Sequence, residues 1–210
     1  MVLEQELKLS VLEGEITLKD ISLEGYEQSE ITSQRLISTY FDTPNQTLID
    51  SGVGLRLRFD GSHWFQTVKE AGQVKNGLHE RQEWEHALET KAFDEALLAL
   101  TPLKALIEDK VMWASVSPVF TTDFIRQTIV LRSQDQSEIE LAYDKGSIHA
   151  GEKTTSIHEI ELELKTGDVN HLQQIAVQLI SKLPLETTNS SKAQKGYALV
   201  LKSNCQQHSD

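Results

Sequence analysis

Two segments of the sequence place charged side chains two residues apart. Glu4, Glu6 and Lys8 have this spacing near the N-terminus, and it recurs from Glu159 to Lys165. Side chains two residues apart share one face of a β-strand, so each segment predicts a row of carboxylates that ends in a lysine. Two carboxylates about 5 Å apart repel each other by roughly 3 kcal/mol at an effective dielectric near 20. A bound cation relieves this repulsion, and all-oxygen ligation favours Mg²⁺ or Mn²⁺ over zinc.

Basic side chains in other segments could bind an anion. Arg56 and Arg58 lie two residues apart, and Lys69 and Arg126 occur in later segments of similar pattern. The planar guanidinium of arginine donates paired hydrogen bonds that match phosphate oxygens. Cationic and acidic rows together therefore indicate a site for a phosphate chain that a metal ion bridges to the carboxylates.

The segments that carry these residues alternate polar and apolar side chains, as β-strands do, and turn residues separate them. The predicted strands cover 3–11, 37–42, 53–59, 63–70, 79–87, 119–131, 138–143, 147–150 and 156–166. Helices are predicted at 15–29, at 90–110 with a break at Pro102, at 168–183 with Asp168 as N-cap, and at 190–202. This order predicts an antiparallel fold of the α+β class.

Charged residues occupy one face of most predicted strands, and two arrangements explain this pattern. The sheet could be amphipathic, with its charged face in water. Alternatively, the strands could turn their charged faces toward a shared interior. Rows as strongly charged as E-x-E-x-E-x-K favour the interior, because a face in water usually mixes Thr, Ser, Gln and Lys. The second arrangement predicts a closed antiparallel barrel with a polar lumen and helices over its apolar outside.

Composition excludes several classes of protein. The 210 residues are 39% hydrophobic, which is enough for a core, and they contain no apolar run long enough for a membrane helix. The N-terminus lacks the features of a signal peptide. A net charge of −12 argues against a nucleic-acid partner. We therefore expect a cytoplasmic protein without a nucleic-acid or membrane partner. The sequence does not indicate its oligomeric state.

Other reactive side chains suggest no further chemistry. The single Cys205 excludes an intrachain disulfide. The seven histidines form no H-x-H or H-x3-H pair, and we expect them to be surface or packing residues. The phosphate-binding pattern G-x-x-x-x-G-K-[ST] is missing from the sequence.

The charged segments, taken in order, resemble the CYTH superfamily, the triphosphate tunnel metalloenzymes. Glu4-Gln5-Glu6-Leu7-Lys8 resembles the E-x-E-x-K signature of that family. The later segments follow the family's order at 40–44 (YFDTP), 55–58 (LRLR), 66–69 (QTVK), 83–85 (EWE), 122–126 (TDFIR), 159–165 (EIELELK) and 191–197 (SKAQKGY). They are most similar to the bacterial inorganic triphosphatase branch. That branch often adds a helical CHAD domain, for which this chain has no room.

The resemblance implies a single CYTH domain at 1–202 and a polar tail at 203–210. It implies an α+β fold built on a closed eight-stranded antiparallel barrel, with surrounding helices and a C-terminal helix that plugs one end. The implied reaction is the hydrolysis of tripolyphosphate to pyrophosphate and phosphate with Mg²⁺ or Mn²⁺.

The resemblance also implies roles for individual residues. The implied catalytic residues are Glu4, Glu6, Lys8, Glu161 and Glu163. The implied metal ligands are Glu4, Glu6, Glu159, Glu161 and Glu163. The implied substrate-binding residues are Lys8, Arg56, Arg58, Lys69, Arg126, Lys165 and Lys192. Three alternative roles are implied for Glu83, Glu85, Glu140 and Asp144. They could hold a second metal, position water or pair with the cations.

Two other functions remain open. A class IV adenylate cyclase shares the fold, the metals and the phosphate contacts, so a nucleoside triphosphate is the alternative substrate. A cyclase also needs a nucleoside pocket, and the sequence shows no clear adenine-binding residues. The third function is a non-catalytic polyphosphate-binding module, but a protein that only binds need not keep both the metal and the phosphate residues.

Overall fold

A computed structural model describes residues 1–204, and most of the predicted polar tail, including Cys205, lies outside them. The strands in the described part are β1 (Val2–Val11), β2 (Tyr26–Gln28), β3 (Thr32–Asp42), β4 (Val53–Phe59), β5 (Trp64–Glu70), β6 (Gln73–Lys75), β7 (Leu78–Leu88), β8 (Ser117–Ser133), β9 (Glu138–Ala150), β10 (Lys153–Thr166) and β11 (Leu185–Thr187). The helices are α1 (Thr47–Asp50), α2 (Glu95–Leu98), α3 (Lys104–Glu108), α4 (Lys110–Ser115), α5 (Asn170–Lys182) and α6 (Lys192–Asn204), with a 3₁₀ turn at Leu18–Asp20.

The strands form one antiparallel sheet that closes on itself. Hydrogen-bonded neighbours follow the order β1-β10-β9-β8-β3-β4-β5-β7, and β7 returns to pair with β1. In this closing pair Glu4 lies opposite Arg81, and Glu6 lies opposite His79. The short strands β2, β6 and β11 pair with β8, β7 and β1, respectively. The predicted closed eight-stranded barrel is confirmed.

The apolar faces of the strands point outward and are covered by helices. On one side α5 buries Leu172, Ile175 and Leu179 against apolar residues of β1, β8, β9 and β10. On another side α2 and α3 cover Leu55 of β4 and Val68 of β5. Because alternate residues face opposite sides of a strand, this packing leaves the charged faces inside the barrel.

The helix α6 closes one end of the barrel. Its Tyr197 packs with Phe120 and Phe124 of β8, which share a strand face with the lumen residue Arg126. Gly196 makes this approach possible, because a Cβ atom there would lie 2.3 Å from the ring of Phe120. The predicted C-terminal plug helix is therefore present.

Two predicted elements are wrong. The segment 15–29 is not a helix; it contains the 3₁₀ turn at 18–20 and the strand β2. Its apolar residues Ile16, Leu18, Ile21 and Leu23 all pack into the core from an extended path, which a helix with one apolar face would not allow. The strands predicted at 138–143 and 147–150 are one strand, β9. Gly146 does not turn the chain there. It lets β9 approach β8, because a Cβ atom would lie 2.2 Å from the carbonyl oxygen of Asp123.

Smaller differences concern the ends of elements. The helical segment 90–110 is interrupted around Pro102 as predicted, but it contains two short helices, α2 and α3, and a third, α4, extends the helical region to Ser115. The helix α5 begins at Asn170, whose backbone N–H donates to the carboxylate of Asp168. The sequence did not predict α1, in which the backbone N–H groups of Leu48 and Ile49 donate to the buried carboxylate of Asp42. No helix in residues 1–204 has the length and apolar character needed to cross a membrane.

Candidate functional site

The charged faces of the strands line a cavity of about 560 Å³ inside the barrel. Most of the predicted site residues border it: Glu4, Glu6, Lys8, Arg56, Arg58, Lys69, Glu83, Glu85, Arg126, Glu140, Glu161, Glu163, Lys165 and Lys192. The remaining two, Asp144 and Glu159, are fully buried and lie behind this lining. The barrel therefore brings together side chains from distant parts of the sequence.

Every carboxylate oxygen of Glu4 and Glu6 contacts a cation of the chain. Lys69 Nζ lies 2.5 Å from Glu4 Oε1, and Arg81 Nε lies 2.7 Å from Glu4 Oε2. The same Arg81 donates from Nη2 to Glu6 Oε1, while Lys8 Nζ lies 2.9 Å from Glu6 Oε2. Burial favours the protonated form of Glu4, but Lys69 and Arg81 outweigh it and hold its pKa well below the usual range.

Glu163 is in a different electrostatic state from Glu4. It lies directly opposite Glu6 in the β1–β10 pair, and Lys165 Nζ contacts it at 2.8 Å. Burial raises the pKa of the Glu163 carboxyl, and the lysine only partly offsets this effect. Glu163 therefore lies close to other carboxylates in the lumen without full neutralisation.

Arg56 and Arg58 are cations with few carboxylate contacts. The carboxylates nearest to Arg56, those of Glu83 and Glu85, lie 3.6 Å away, and its buried Nε has no hydrogen-bond partner within residues 1–204. Arg58 Nε donates to Ser38 Oγ at 3.1 Å, and no carboxylate of the described chain forms an ion pair with Arg58. Burial and the two neighbouring arginines lower the pKa of Arg58 to about 10. An anion with several oxygens could satisfy both groups.

Lys192 of α6 lies among three carboxylates. Its Nζ is 2.6 Å from Asp144, 2.7 Å from Glu159 and 3.0 Å from Glu161. Oxygens of these three carboxylates lie within 4.8 Å of one another, a spacing that could hold a metal ion. The ammonium donates a hydrogen bond to Glu161 Oε1, whereas the buried Glu159 Oε1 has no hydrogen-bond partner within residues 1–204. Burial alone would lower the pKa of Lys192, but the carboxylates raise it well above its ordinary value.

Cations from the barrel wall surround the same cluster. Arg126 donates two hydrogen bonds of 2.7 Å to Asp144 and one to Glu161. Lys8 also contacts Glu161, and Lys195 Nζ lies 2.6 Å from Glu159. The cluster therefore fixes cations in place between α6 and the lumen.

Two residues of β7 were missed by the sequence analysis. Arg81 joins Glu4 and Glu6, and it is in phase with Glu83 and Glu85, a spacing that could have identified it. His79 has the same phase. It is buried and borders the cavity. Burial lowers the pKa of His79, and Lys8 adds to this effect.

The carboxylates of the lumen fit a hard divalent cation. Glu4, Glu6 and Glu163 offer only oxygen ligands, which Mg²⁺ and Mn²⁺ prefer. The raised pKa of Glu163 indicates that more positive charge near it would be favourable. The cluster around Lys192 also has the spacing of a metal site. In both places cations of the chain already contact the carboxylates.

Comparison with known proteins places this site in a family. The model of the CYTH domain matches residues 3–197. The inorganic triphosphatase of Haemophilus influenzae is 37% identical over 164 residues, which cover 77% of this chain and 45% of that protein. The chain therefore spans slightly less than half the length of this relative.

Solved structures share the fold. A Hippeastrum protein that carries an adenylyl cyclase name and a dominant triphosphatase activity matches with a TM-score of 0.60 at 17% identity, over 95% of this chain and 96% of that one. A Bacillus halodurans protein with an adenylate cyclase name matches with a TM-score of 0.55 at 18% identity, over 93% and 98%. These identities support the fold alone. Since the family model spans almost the whole described chain, and the barrel and its charged lumen agree with it, the chain belongs to the CYTH family.

Proposed function

We propose that the chain hydrolyses inorganic triphosphate (tripolyphosphate) to pyrophosphate and phosphate inside the barrel. The observation that carries this proposal is the pair Arg56 and Arg58, whose guanidinium groups face the lumen with few carboxylate contacts. A linear phosphate chain supplies anionic oxygens in a row and would satisfy both. The name of the Haemophilus influenzae relative supports the same substrate.

The phosphate chain would be held by cations from several strands. We assign this role to Lys8, Arg56, Arg58, Lys69, Arg126 and Lys165, all of which border the cavity. The carboxylates of Glu83 and Glu85 each lie 3.6 Å from Arg56 Nη2 and would keep this side chain in place. Glu140 lies near Arg126 and Lys165 and would act in the same way.

Glu4, Glu6 and Glu163 would hold Mg²⁺ or Mn²⁺. When bound, such an ion neutralises phosphate charge and activates water. Glu159 and Glu161, which the family resemblance implies as ligands, contact Lys192, Lys8 and Arg126 in the structure. We assign them to positioning these cations.

The reaction needs no covalent intermediate with the protein. Water adds to a terminal phosphorus, and the bond from that phosphorus to its bridging oxygen breaks. Pyrophosphate leaves with the bonding electrons, and the two hydrogens of water end one on each product. Phosphoryl transfer of this kind depends mainly on alignment and on charge neutralisation, which the rows of cations would supply.

The lining favours an inorganic chain over a nucleotide. A base is usually recognised by stacking on an aromatic ring or by a polar pocket. Among the described residues that border the cavity, the large aromatic ring is that of Tyr40, which is stacked on Phe120 with 4.5 Å between ring centres. That face of Tyr40 is therefore not available to a base.

The test is to incubate the purified protein with tripolyphosphate, ATP or pyrophosphate, in Mg²⁺, Mn²⁺ or EDTA, and to measure phosphate and cyclic AMP. We expect phosphate from tripolyphosphate with either metal and none in EDTA. Cyclic AMP from ATP would move the assignment to an adenylate cyclase. Tight binding of tripolyphosphate without phosphate release would move it to a polyphosphate-binding module.

We also propose a cytoplasmic location and the absence of nucleic-acid or membrane partners. The support is the net charge of −12, which disfavours contact of the outer surface with nucleic acid or an anionic membrane, whereas the proposed substrate would bind among the lysines and arginines inside the barrel. Cell fractionation and a nucleic-acid binding assay at low salt would test both proposals.

A further inference from the structure

Arg81 is the cation that joins the two carboxylates of the E-x-E motif. It lies opposite Glu4 in the pair that closes the barrel, and its guanidinium donates to Glu4 from Nε and to Glu6 from Nη2. Its side chain is only 17% exposed. Lys69 and Lys8 contact the remaining oxygens of Glu4 and Glu6, so all four are already paired.

A divalent cation cannot bind these oxygens without competition. Each oxygen has a second lone pair, but an ion about 2.1 Å from it would lie close to the cation that already donates there, and their mutual repulsion favours displacement of that ammonium or guanidinium. A displaced cation in a largely buried lumen is costly unless it finds a new anion. The anion that the proposed function supplies is the phosphate chain, and Arg81 borders the same cavity.

We propose that Arg81 is an exchangeable counter-cation that holds Glu4 and Glu6, releases them to a divalent metal, and then binds the phosphate chain. The inference rests on the proposed function for the identity of the anion. Its consequence is that metal and polyphosphate bind cooperatively. The phosphate chain binds Arg81 and so frees Glu4 and Glu6 for the metal, while the metal binds Glu4 and Glu6 and so frees Arg81 for the phosphate chain. By linkage, each ligand must raise the affinity of the other by the same factor.

Arg58 provides a matched control. It is also an arginine in the lumen, but it contacts Ser38 and forms no ion pair with a carboxylate of the described chain. Arg58→Gln and Arg81→Gln remove the same charge, but only the second frees carboxylate oxygens. Comparing the two variants therefore distinguishes the effect of freeing the oxygens of Glu4 and Glu6 from the effect of losing one positive charge in the lumen.

The experiment is a titration of Mn²⁺ into the wild-type protein and both variants without phosphate, with free Mn²⁺ followed by electron paramagnetic resonance. We expect Arg81→Gln to bind Mn²⁺ about tenfold more tightly than wild type, since an ion pair no longer has to be broken. We expect Arg58→Gln to change the affinity by no more than about twofold, through its long-range charge alone. Equal effects of the two variants, or weaker Mn²⁺ binding by Arg81→Gln, would overturn the proposal.

A second measurement tests the cooperativity. A methylene-bridged triphosphonate, which cannot be hydrolysed, should tighten Mn²⁺ binding to wild type by about tenfold after correction for its own Mn²⁺ complex. This gain in Mn²⁺ affinity should be smaller in Arg81→Gln. It should persist in Arg58→Gln, although that variant binds the analogue more weakly. A gain that is unchanged in Arg81→Gln would contradict the exchange.

Folding and turnover are controlled separately. Circular dichroism and thermal melts check each variant. If Arg81→Gln does not fold, Arg81→Lys replaces it, because lysine keeps the charge but lacks the planar fork that joins two carboxylates. Arg81→Lys should still bind Mn²⁺ more tightly than wild type, and unchanged or weaker binding would overturn the proposal. The comparison of Mn²⁺ affinities among wild type and variants involves no hydrolysis. Failure of the exchange proposal can therefore be distinguished from failure of the proposed substrate.

Discussion

Glu6 and Glu163 lie directly opposite each other in the β1–β10 pair, on faces that line the lumen. Cross-strand neighbours are only about 5 Å apart, so two carboxylates in this position repel each other. Glu6 is neutralised by Arg81 and Lys8, whereas Glu163 has one lysine contact and a pKa raised by burial. Glu163 therefore has less positive charge around it than Glu6 and would be stabilised by an added cation.

The first prediction follows from the raised pKa of Glu163. A carboxyl whose pKa is higher in the folded than in the unfolded protein favours folding when protonated. The stability this provides is complete below the unfolded pKa, near 4.5, and is lost as the pH rises through the folded pKa. Glu163→Gln should therefore gain melting temperature relative to wild type as the pH rises from about 4 to about 7, in EDTA.

Added Mn²⁺ should reverse this ranking at neutral pH, because only the wild-type carboxylate can bind the ion. Melting curves of both proteins at each pH, with and without Mn²⁺, provide the measurement. A difference that stays constant between the two pH values would show that the Glu163 carboxyl is not perturbed by folding.

The second prediction concerns Arg58, a cation close to two other arginines. Arg58→Met keeps much of the apolar stem and removes the charge, so the melting temperature should change little or rise. The KM for tripolyphosphate should increase at least about tenfold, because a contact to the phosphate chain is lost. Arg35→Met, on the surface beside Asp123, is the control. An unchanged KM with a large loss of stability would identify Arg58 as a structural residue.

The third prediction concerns Glu6, which we assign to the metal. Glu6→Gln keeps the size of the side chain and removes its charge, so turnover of tripolyphosphate should fall by at least about a hundredfold while the fold survives. Glu13→Gln, an exposed residue outside the barrel, should have normal turnover. Phosphate release and circular dichroism measure the two effects. Near-normal turnover of Glu6→Gln would mean that Glu6 is not a ligand.

The fourth prediction concerns the stability that α6 gives to the barrel. Lys192→Met leaves Asp144, Glu159 and Glu161 without their shared cation, and breaking a buried network of this kind costs about 3–5 kcal/mol. Lys195→Met removes a more exposed lysine that contacts Glu159 alone and should cost less. Urea unfolding in EDTA compares the two variants. A smaller loss for Lys192→Met than for Lys195→Met would contradict the assigned role of Lys192.

The alternation of charge along the strands favoured a closed barrel with a polar lumen, and the family resemblance supplied the number of strands and the roles of the lumen residues. Glu4, Arg56 and Glu161 each share a strand face with a second charged residue. Such alternation with a period of two residues can be detected in a single sequence. The same period contained the signal for Arg81, which was in phase with Glu83 but was not assigned a role. The segment 15–29 was mispredicted because its apolar spacing of two and three residues resembles part of a helix.

Pairing inside the lumen could not be read from the sequence. The contact of Lys192 with Glu159 depends on how α6 seats against Phe120, where Gly196 permits close approach. Odd or even position along a strand predicts which face a side chain occupies. It does not predict which of several oppositely charged side chains will be its ion-pair partner. The family resemblance implied that Lys192 binds phosphate, whereas the structure places it among carboxylates. Its role stays a prediction.

The most direct test of the proposed function is the ratio of kcat/KM for tripolyphosphate to that for ATP, with saturating Mn²⁺ and products identified by ³¹P NMR. We expect tripolyphosphate to be cleaved faster than ATP and to give equal amounts of pyrophosphate and phosphate, with pyrophosphate itself a poor substrate. ATP preferred over tripolyphosphate, or no cleavage of tripolyphosphate by a folded protein with bound metal, would contradict the account.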